Sequence, residues 1–170
     1  KGSIIDFSQL LKLNPNYHEG FFQRGIAKSQ IGDFKGSIID FSQLLKLNPN
    51  YHQGFLLRGI AKRQIGDFKG SIIDFSQLLK LNPNYHEGFF QRGIAKSQIG
   101  DFKGSIIDFS QLLKLNPNYQ EGFLFRGIAK QDIGDFKGSI IDFSKYLNLN
   151  GADSSTLFLR GFSKYSLKDF

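Results

Sequence analysis

The sequence predicts an all-α fold, an α-solenoid of antiparallel helix pairs with nine helices. The first observation is a period of 34 residues. The block His18–Tyr51 recurs letter for letter at His86–Tyr119, and the block between them differs at four positions. The second observation is that apolar residues fall at helical spacing in two runs within each block. Because a unit of this size cannot bury its apolar face alone, we expect successive copies to stack on one another.

The period makes the chain one repeat domain, residues 1–170, with no linker or second domain visible in the sequence. A second-helix half repeat precedes four full repeats, and a divergent first-helix half repeat follows them. Terminal repeats are expected to diverge because they cap the stack. The segments are residues 1–17, 18–51, 52–85, 86–119, 120–153 and 154–170.

The first helix of the unit is predicted from about His18 to Ile31. Asn16 stands where an N-cap is expected and Glu19 follows three residues later, which is the spacing of a capping box. The same spacing recurs at Asn50/Gln53, Asn84/Glu87 and Asn118/Glu121. The apolar face is predicted to contain Phe21, Phe22, Gly25, Ile26 and Ile31.

The second helix is predicted from about Phe34 to Leu47, and Pro49 ends it. Before it, Gly32 permits a left-handed turn and Asp33 can cap the helix. A short Gly-Asp connection of this kind makes the two helices an antiparallel hairpin. The predicted apolar face consists of Ile38, Phe41, Leu44, Leu45 and Leu47.

At these positions the unit resembles a tetratricopeptide repeat (TPR), and the resemblance covers the whole chain. It implies a right-handed superhelix of helix pairs. The matching positions are an early aromatic, a glycine at the close approach of the helices, a small residue, a second aromatic and a closing proline. In the first full unit these are Phe21, Gly25, Ser37, Phe41 and Pro49. The unit departs from the family at Lys28, where an aromatic is usual, and at Leu44, where a small residue is usual. The larger leucine could fill the space that an aromatic would have occupied.

Arg24 and Asp40 recur together in every full unit, each in the middle of a helix. Because arginine suits bidentate pairing with a carboxylate, we expect an ion pair between helices. It would lie within a unit, or between neighbours as Asp6 with Arg24; the alternative is that both residues are solvated. The row Lys28, Lys62, Lys96 and Lys130 favours a role in solubility over a track for an anionic ligand.

Composition excludes several functions. The chain has no Cys, so disulfides and thiolate metal sites are excluded, and it has no apolar run long enough to span a membrane. Its three histidines occupy equivalent positions in successive units, too far apart to share one metal. The charge of +7 is spread evenly, which disfavours nucleic-acid binding. We expect no enzyme, no cofactor and no metal, and a cytoplasmic location.

The resemblance implies that the first helices line a concave face on which a peptide or helix binds. The glutamates of this set are candidate caps first and ligand contacts second. The phenylalanines and isoleucines either pack between neighbouring helices or form an apolar stripe for a partner. The carried-over positions are Glu19, Phe22, Ile26, Ser29, Gln30, Gln53, Leu56, Ile60, Arg63, Gln64, Glu87, Phe90, Ile94, Ser97, Gln98, Glu121, Leu124, Ile128, Gln131 and Asp132.

The predicted function is a non-catalytic scaffold for a protein or peptide partner. The differences between units support it, because they cluster on the first helix while the second helix is invariant in the first three full units. The alternative is a structural or self-assembling array without a dedicated ligand. Lys1–Tyr51 is identical to Lys69–Tyr119, which indicates recent duplication of a two-unit block or an engineered sequence. The first helix of the chain lacks a preceding partner, which favours a piece of a longer array, with end-to-end self-association as a by-product. The alternative is that this open end docks on another molecule.

Overall fold

The computed structural model describes residues 2–168, which form ten α-helices. The prediction of nine was wrong, because each terminal half repeat contributes a complete helix beside the eight helices of the full repeats. The helices are α1 (Gly2–Leu13), α2 (His18–Gln30), α3 (Phe34–Leu47), α4 (His52–Gln64), α5 (Phe68–Leu81), α6 (His86–Gln98), α7 (Phe102–Leu115), α8 (Gln120–Asp132), α9 (Phe136–Asn150) and α10 (Ser154–Ser166).

The described residues fall into two compact units, with the boundary between Gly88 and Phe89. In the first unit α1 packs on α2, α2 on α3, α3 on α4 and α4 on α5. In the second unit α7 packs on α8, α8 on α9 and α9 on α10. Within each of these two sets, helices that are neighbours in sequence are neighbours in space, as expected for a repeat array.

The predicted turn between the helices of a pair is confirmed. Gly32 adopts a φ of 80°, which residues other than glycine rarely adopt. The Asp33 carboxylate then caps α3 by accepting a hydrogen bond of 2.9 Å from the Gly36 amide. The same cap forms at Asp67, Asp101 and Asp135. This turn chemistry explains why α3 begins at Phe34.

The predicted capping box at the first helices is wrong. The N-cap residues of α2, α4 and α8 are tyrosines, and none of them makes a side-chain capping bond. The preceding asparagine belongs instead to a turn, in which the Tyr51 amide donates to the Asn48 carbonyl across Pro49 and Asn50. Asn50 therefore lies one residue before the N-cap. The carboxylate of Glu19 accepts a hydrogen bond from Gln23 rather than from the start of its helix.

The core of each pair forms where a second-helix aromatic meets a first-helix glycine. Phe41 and Leu44 are completely buried. A Cβ added to Gly25 would lie 2.7 Å from Cε1 of Phe41, so only glycine permits this approach. The predicted apolar faces were too wide: Ile31 and Leu47 are 55% and 39% exposed because they lie at the helix ends, beyond this contact.

Candidate functional site

A buried carboxylate held by two cations recurs in every full repeat. Asp40 is completely buried and accepts hydrogen bonds of 3.0 and 2.6 Å from Nε and Nη2 of Arg24. Nζ of Lys28 lies 2.7 Å from Oδ2 of Asp40, the same oxygen that accepts from Nε of Arg24. The predicted ion pair is thus confirmed in its within-unit form. The same cluster forms around Asp74, Asp108 and Asp142.

Arg24 also contacts the preceding second helix. Its Nη1 donates a hydrogen bond of 3.1 Å to Oγ of Ser8 on α1, and the guanidinium lies 5.6 Å from the ring centroid of Phe21. The predicted between-unit pair of Asp6 with Arg24 is wrong, because Ser8 rather than Asp6 faces the arginine and Asp6 is exposed. One side chain therefore joins α1, α2 and α3.

The lysine row is neither a solvated surface nor an anion track. Lys28, Lys62, Lys96 and Lys130 each lie within 2.8 Å of the buried aspartate of their own repeat. One feature of the sequence indicates this role: Lys28 follows Arg24 by four residues, which places both side chains on the same face of the helix. The pairing also explains why lysine replaces the aromatic usual at this position.

In α2, the predicted binding residues are mostly half-buried. Phe22 lies with its ring centroid 6.3 Å from that of Phe41 and 5.2 Å from that of Tyr51, so it contributes to packing within the repeat. The hydroxyls of Ser29 and Ser37 share a hydrogen bond of 2.7 Å. The half-buried members are Glu19, Phe22, Ile26 and Ser29, whereas Gln30 is exposed.

In α4, Arg63 stands where the first and third full repeats have serine. It is half-buried, and its Nε is buried without a hydrogen-bond partner among residues 2–168. Burial lowers the pKa of the Arg63 guanidinium, and the charge of Glu87 opposes this effect. Of the other predicted residues of α4, Leu56 and Ile60 are half-buried and Gln53 and Gln64 are exposed.

In the second unit, two predicted ligand contacts bond within the chain. Ser97 shares a hydrogen bond of 2.7 Å with Ser105, and Nε2 of Gln131 donates to Leu159 and Ser163 of α10. Phe90 lies against the rings of Phe109, Tyr119 and Phe125, contacts that the helical pattern did not single out. Ile94, Leu124 and Ile128 are half-buried, and Gln98, Glu121 and Asp132 are exposed. Desolvation raises the pKa of the Asp132 carboxyl.

An open cleft of about 530 Å³ in the second unit is lined by none of the predicted binding residues. Its walls include Phe89, Arg92, Ile107, Gln111 and Lys114. Within residues 2–168, no group of His, Asp and Glu side chains is arranged to hold a metal ion. None of the ten described helices has the length and apolar character needed to cross a bilayer.

No family model matches the chain, and no curated protein matches its sequence significantly. Solved structures are similar over most of its length. YrrB, described as a TPR protein with an unusual peptide-binding site, has a TM-score of 0.84 at 12% identity, covering 96% of this chain and 84% of that chain. MamA from Desulfovibrio magneticus RS-1 has a TM-score of 0.85 at 16% identity, covering 89% and 86% of the two chains.

A tetratricopeptide repeat protein from Parabacteroides merdae has a TM-score of 0.72 at 18% identity, covering 98% of this chain and 65% of that chain. In this chain the helix pairs recur every 34 residues. The chain therefore has the fold of the tetratricopeptide repeat proteins.

Proposed function

We propose that the chain is a non-catalytic interaction scaffold, one repeat domain over residues 1–170, whose first-helix residues bind an extended or helical peptide. Half-buried Phe, Leu and Ile side chains alternate there with exposed Gln, Glu and Asp, which suits a partner with an apolar core and a polar edge. The structural likeness to YrrB, whose description records a peptide-binding site, supports this class of partner.

The observation that carries the proposal is Arg63. Arg63 is a half-buried cation on the helix that carries Leu56 and Ile60, and its buried Nε has no acceptor among residues 2–168. A carboxylate is the strongest acceptor for a guanidinium. The preferred partner is therefore a peptide in which an acidic residue is flanked by aliphatic residues.

A displayed library of random decapeptides tests this function. We expect enrichment of sequences with an acidic residue next to aliphatic ones. The variant Arg63→Ser restores the residue of the first and third full repeats, so it is compatible with the fold. It is expected to weaken binding of an enriched peptide by about tenfold, the loss typical of one charge-assisted hydrogen bond. A matched control is Lys35→Ser, which removes an exposed cation from α3.

Either of two results would count against the proposal: a library without enrichment, or an enriched peptide that binds the Arg63→Ser and Lys35→Ser variants equally well. Both variants should keep the thermal midpoint of the parent chain, which separates a lost contact from a lost fold.

A second candidate function is self-assembly, favoured by the surface of α1. Asp6 of α1 is exposed. In the complete repeats the residues equivalent to Asp6 are buried. Light scattering over a range of concentrations tests this candidate, because a mass that stays at 19.3 kDa would exclude it.

A further inference from the structure

The exposed face of α7 combines two lysines with one large apolar side chain. Lys103, Ile107, Gln111 and Lys114 follow one another at intervals of four, four and three residues, so they lie on one face of the helix. Ile107 is 67% exposed, whereas Phe109 on the other side of α7 is completely buried. These residues are called the α7 strip below.

The open cleft of about 530 Å³ in the second unit borders this strip. Ile107, Gln111 and Lys114 belong to both, and Phe89 and Ile106 add apolar side chains to the walls of the cleft. Phe89 and Ile106 are themselves half-buried. The exposed isoleucine therefore lies at the edge of a cavity with room for apolar side chains of a partner.

The positive charge of the strip has no counterpart on α7. The only acidic residue of this helix is Asp108, which is 1% exposed and already paired with an arginine and a lysine of α6. The carboxylate of Asp101, which precedes α7, caps the start of the helix. Among residues 2–168, neither Lys103 nor Lys114 forms an ion pair. The strip is thus complementary in charge to an acidic partner.

The same strip recurs in the first unit. α3 and α5 are identical in sequence to α7, and their equivalent isoleucines, Ile39 and Ile73, are 64% and 67% exposed. In α9 the isoleucine is retained, but Lys145 replaces the glutamine and Asn148 replaces the second lysine. An exposed isoleucine between two lysines therefore occurs in three identical helices.

We propose that the α7 strip and its equivalents on α3 and α5 bind an acidic amphipathic helix of a partner protein. Apolar side chains of the partner contact Ile107 and enter the cleft, and its carboxylates pair with Lys103 and Lys114. A helix is the favoured occupant because its residues at i, i+4, i+7 and i+11 repeat the spacing of the strip.

The spacing of the two lysines defines the partner further. Lys103 and Lys114 are eleven residues apart, which corresponds to about 16 Å along the helix. The partner helix therefore carries two acidic residues about three turns apart, with apolar residues between them on the same face. None of the strip residues belongs to the predicted first-helix site, so the inference is independent of peptide binding at Arg63.

Fluorescence anisotropy of the whole chain with two labelled synthetic helices tests the proposal. The acidic probe has two glutamates eleven residues apart with leucines between them on one face, and the basic probe has lysines in place of the glutamates. We expect the acidic probe to bind at least about tenfold more tightly, because the basic probe places like charges opposite the strip. Added salt should weaken binding of the acidic probe.

Variants must change every equivalent strip at once, because otherwise one second helix could replace another. Glutamine at the strip isoleucines should raise the dissociation constant of the acidic probe at least about tenfold, through loss of the apolar contact. The control changes isoleucines outside the strips, which are between 43% and 55% exposed, and should leave binding unchanged. The strip variant is Ile5→Gln, Ile39→Gln, Ile73→Gln, Ile107→Gln and Ile141→Gln, and the control is Ile31→Gln, Ile65→Gln, Ile99→Gln and Ile133→Gln.

Thermal midpoints of both variants establish that the fold is retained. Absent binding of the acidic probe, equal binding of the two probes, or equal affinity of the strip and control variants would each overturn the proposal. So would acidic-probe binding that Arg63→Ser abolishes, since the probe would then occupy the first helices. Binding to phosphatidylserine vesicles, but not to the acidic probe, through the strip isoleucines would assign the surface to anionic lipid instead.

Discussion

Nζ of Lys28 lies 2.7 Å from an oxygen of Asp40, a carboxylate with no exposed surface. Arg24 approaches the other oxygen at 2.6 Å, so two positive charges face one negative charge in every full repeat. Removing a carboxylate from water is unfavourable, so the buried Asp40 depends on its two cationic partners for stability. The contact therefore makes the pairing of first and second helix specific, and its parts can be tested separately.

Replacing the carboxylate by its neutral isostere tests the charge. Asp40→Asn leaves Arg24 and Lys28, which are 17% and 18% exposed, beside each other without a counter-charge. We expect the free energy of unfolding to fall by about 3 kcal/mol, the range for breaking a buried pair. Urea denaturation measures it. Asp33→Asn is the control, because asparagine caps a helix as well as aspartate does; equal losses in the two variants would contradict a special role for Asp40.

Leu44 tests the filling of the core. It is completely buried, so Leu44→Ala should leave a cavity and lower the free energy of unfolding by about 2–5 kcal/mol. Leu47 lies in the same helix but is 39% exposed, and Leu47→Ala should cost less than about 1 kcal/mol. A loss under about half a kilocalorie at Leu44 would refute its packing role.

Two glycines at equivalent positions should respond in opposite directions. A Cβ at Gly59 would lie 2.6 Å from Cε1 of Phe75, so Gly59→Ala is expected to destabilise by about 1–3 kcal/mol. Gly161 has open space around it, so Gly161→Ala should raise helix stability by up to about 1 kcal/mol. Thermal midpoints compare the two. Destabilisation by both substitutions would mean that Gly161 is not open in solution.

The cap of α10 should depend on pH. A hydrogen bond from the Thr156 amide lowers the pKa of the Asp153 carboxyl below its ordinary value of 3.8. A carboxyl whose folded-state pKa is depressed contributes stability above its unfolded-state pKa and loses that contribution as the pH falls through the folded-state value. An NMR titration should place the Asp153 midpoint below 3.8. Asp153→Asn should remove this part of the acid dependence, and an unchanged acid profile would contradict it.

The 34-residue period was sufficient to predict the helix pairs and most of their ends. Helices begin at His18 and Phe34, and one ends at Leu47, as expected. The prediction succeeded at the ends of α3 because glycine, aspartate and proline act locally on the backbone. The capping box failed since the Asn-Pro-Asn segment forms a turn of its own, which displaces the expected cap. At such junctions the preference of asparagine for helix capping competes with its preference for a turn, and the repeat period does not determine which of the two forms.

Side-chain partners were harder to predict than helices. The Arg24–Asp40 pair could be predicted because both residues recur together in every full repeat. The contact of Lys28 with Asp40 could not, because it depends on how closely two helices approach each other. Candidate ligand contacts share this difficulty. Ser29 and Gln131 form hydrogen bonds with neighbouring helices of the same chain. Assigning residues to one face of a helix does not reveal such bonds. The unpartnered Nε of Arg63 became visible only with coordinates.

Because Arg24 contacts the second helices on both sides of it, the chain tolerates changes in length only in whole periods. Ser8 precedes Arg24 by 16 residues, as Ser42 precedes Arg58. Excision of residues 52–85 would set Ser42 the same 16 residues ahead of Arg92 and restore the sequence of every junction. An excision whose length is not a whole number of periods would break the phase of the array and leave a buried aspartate without its arginine and lysine.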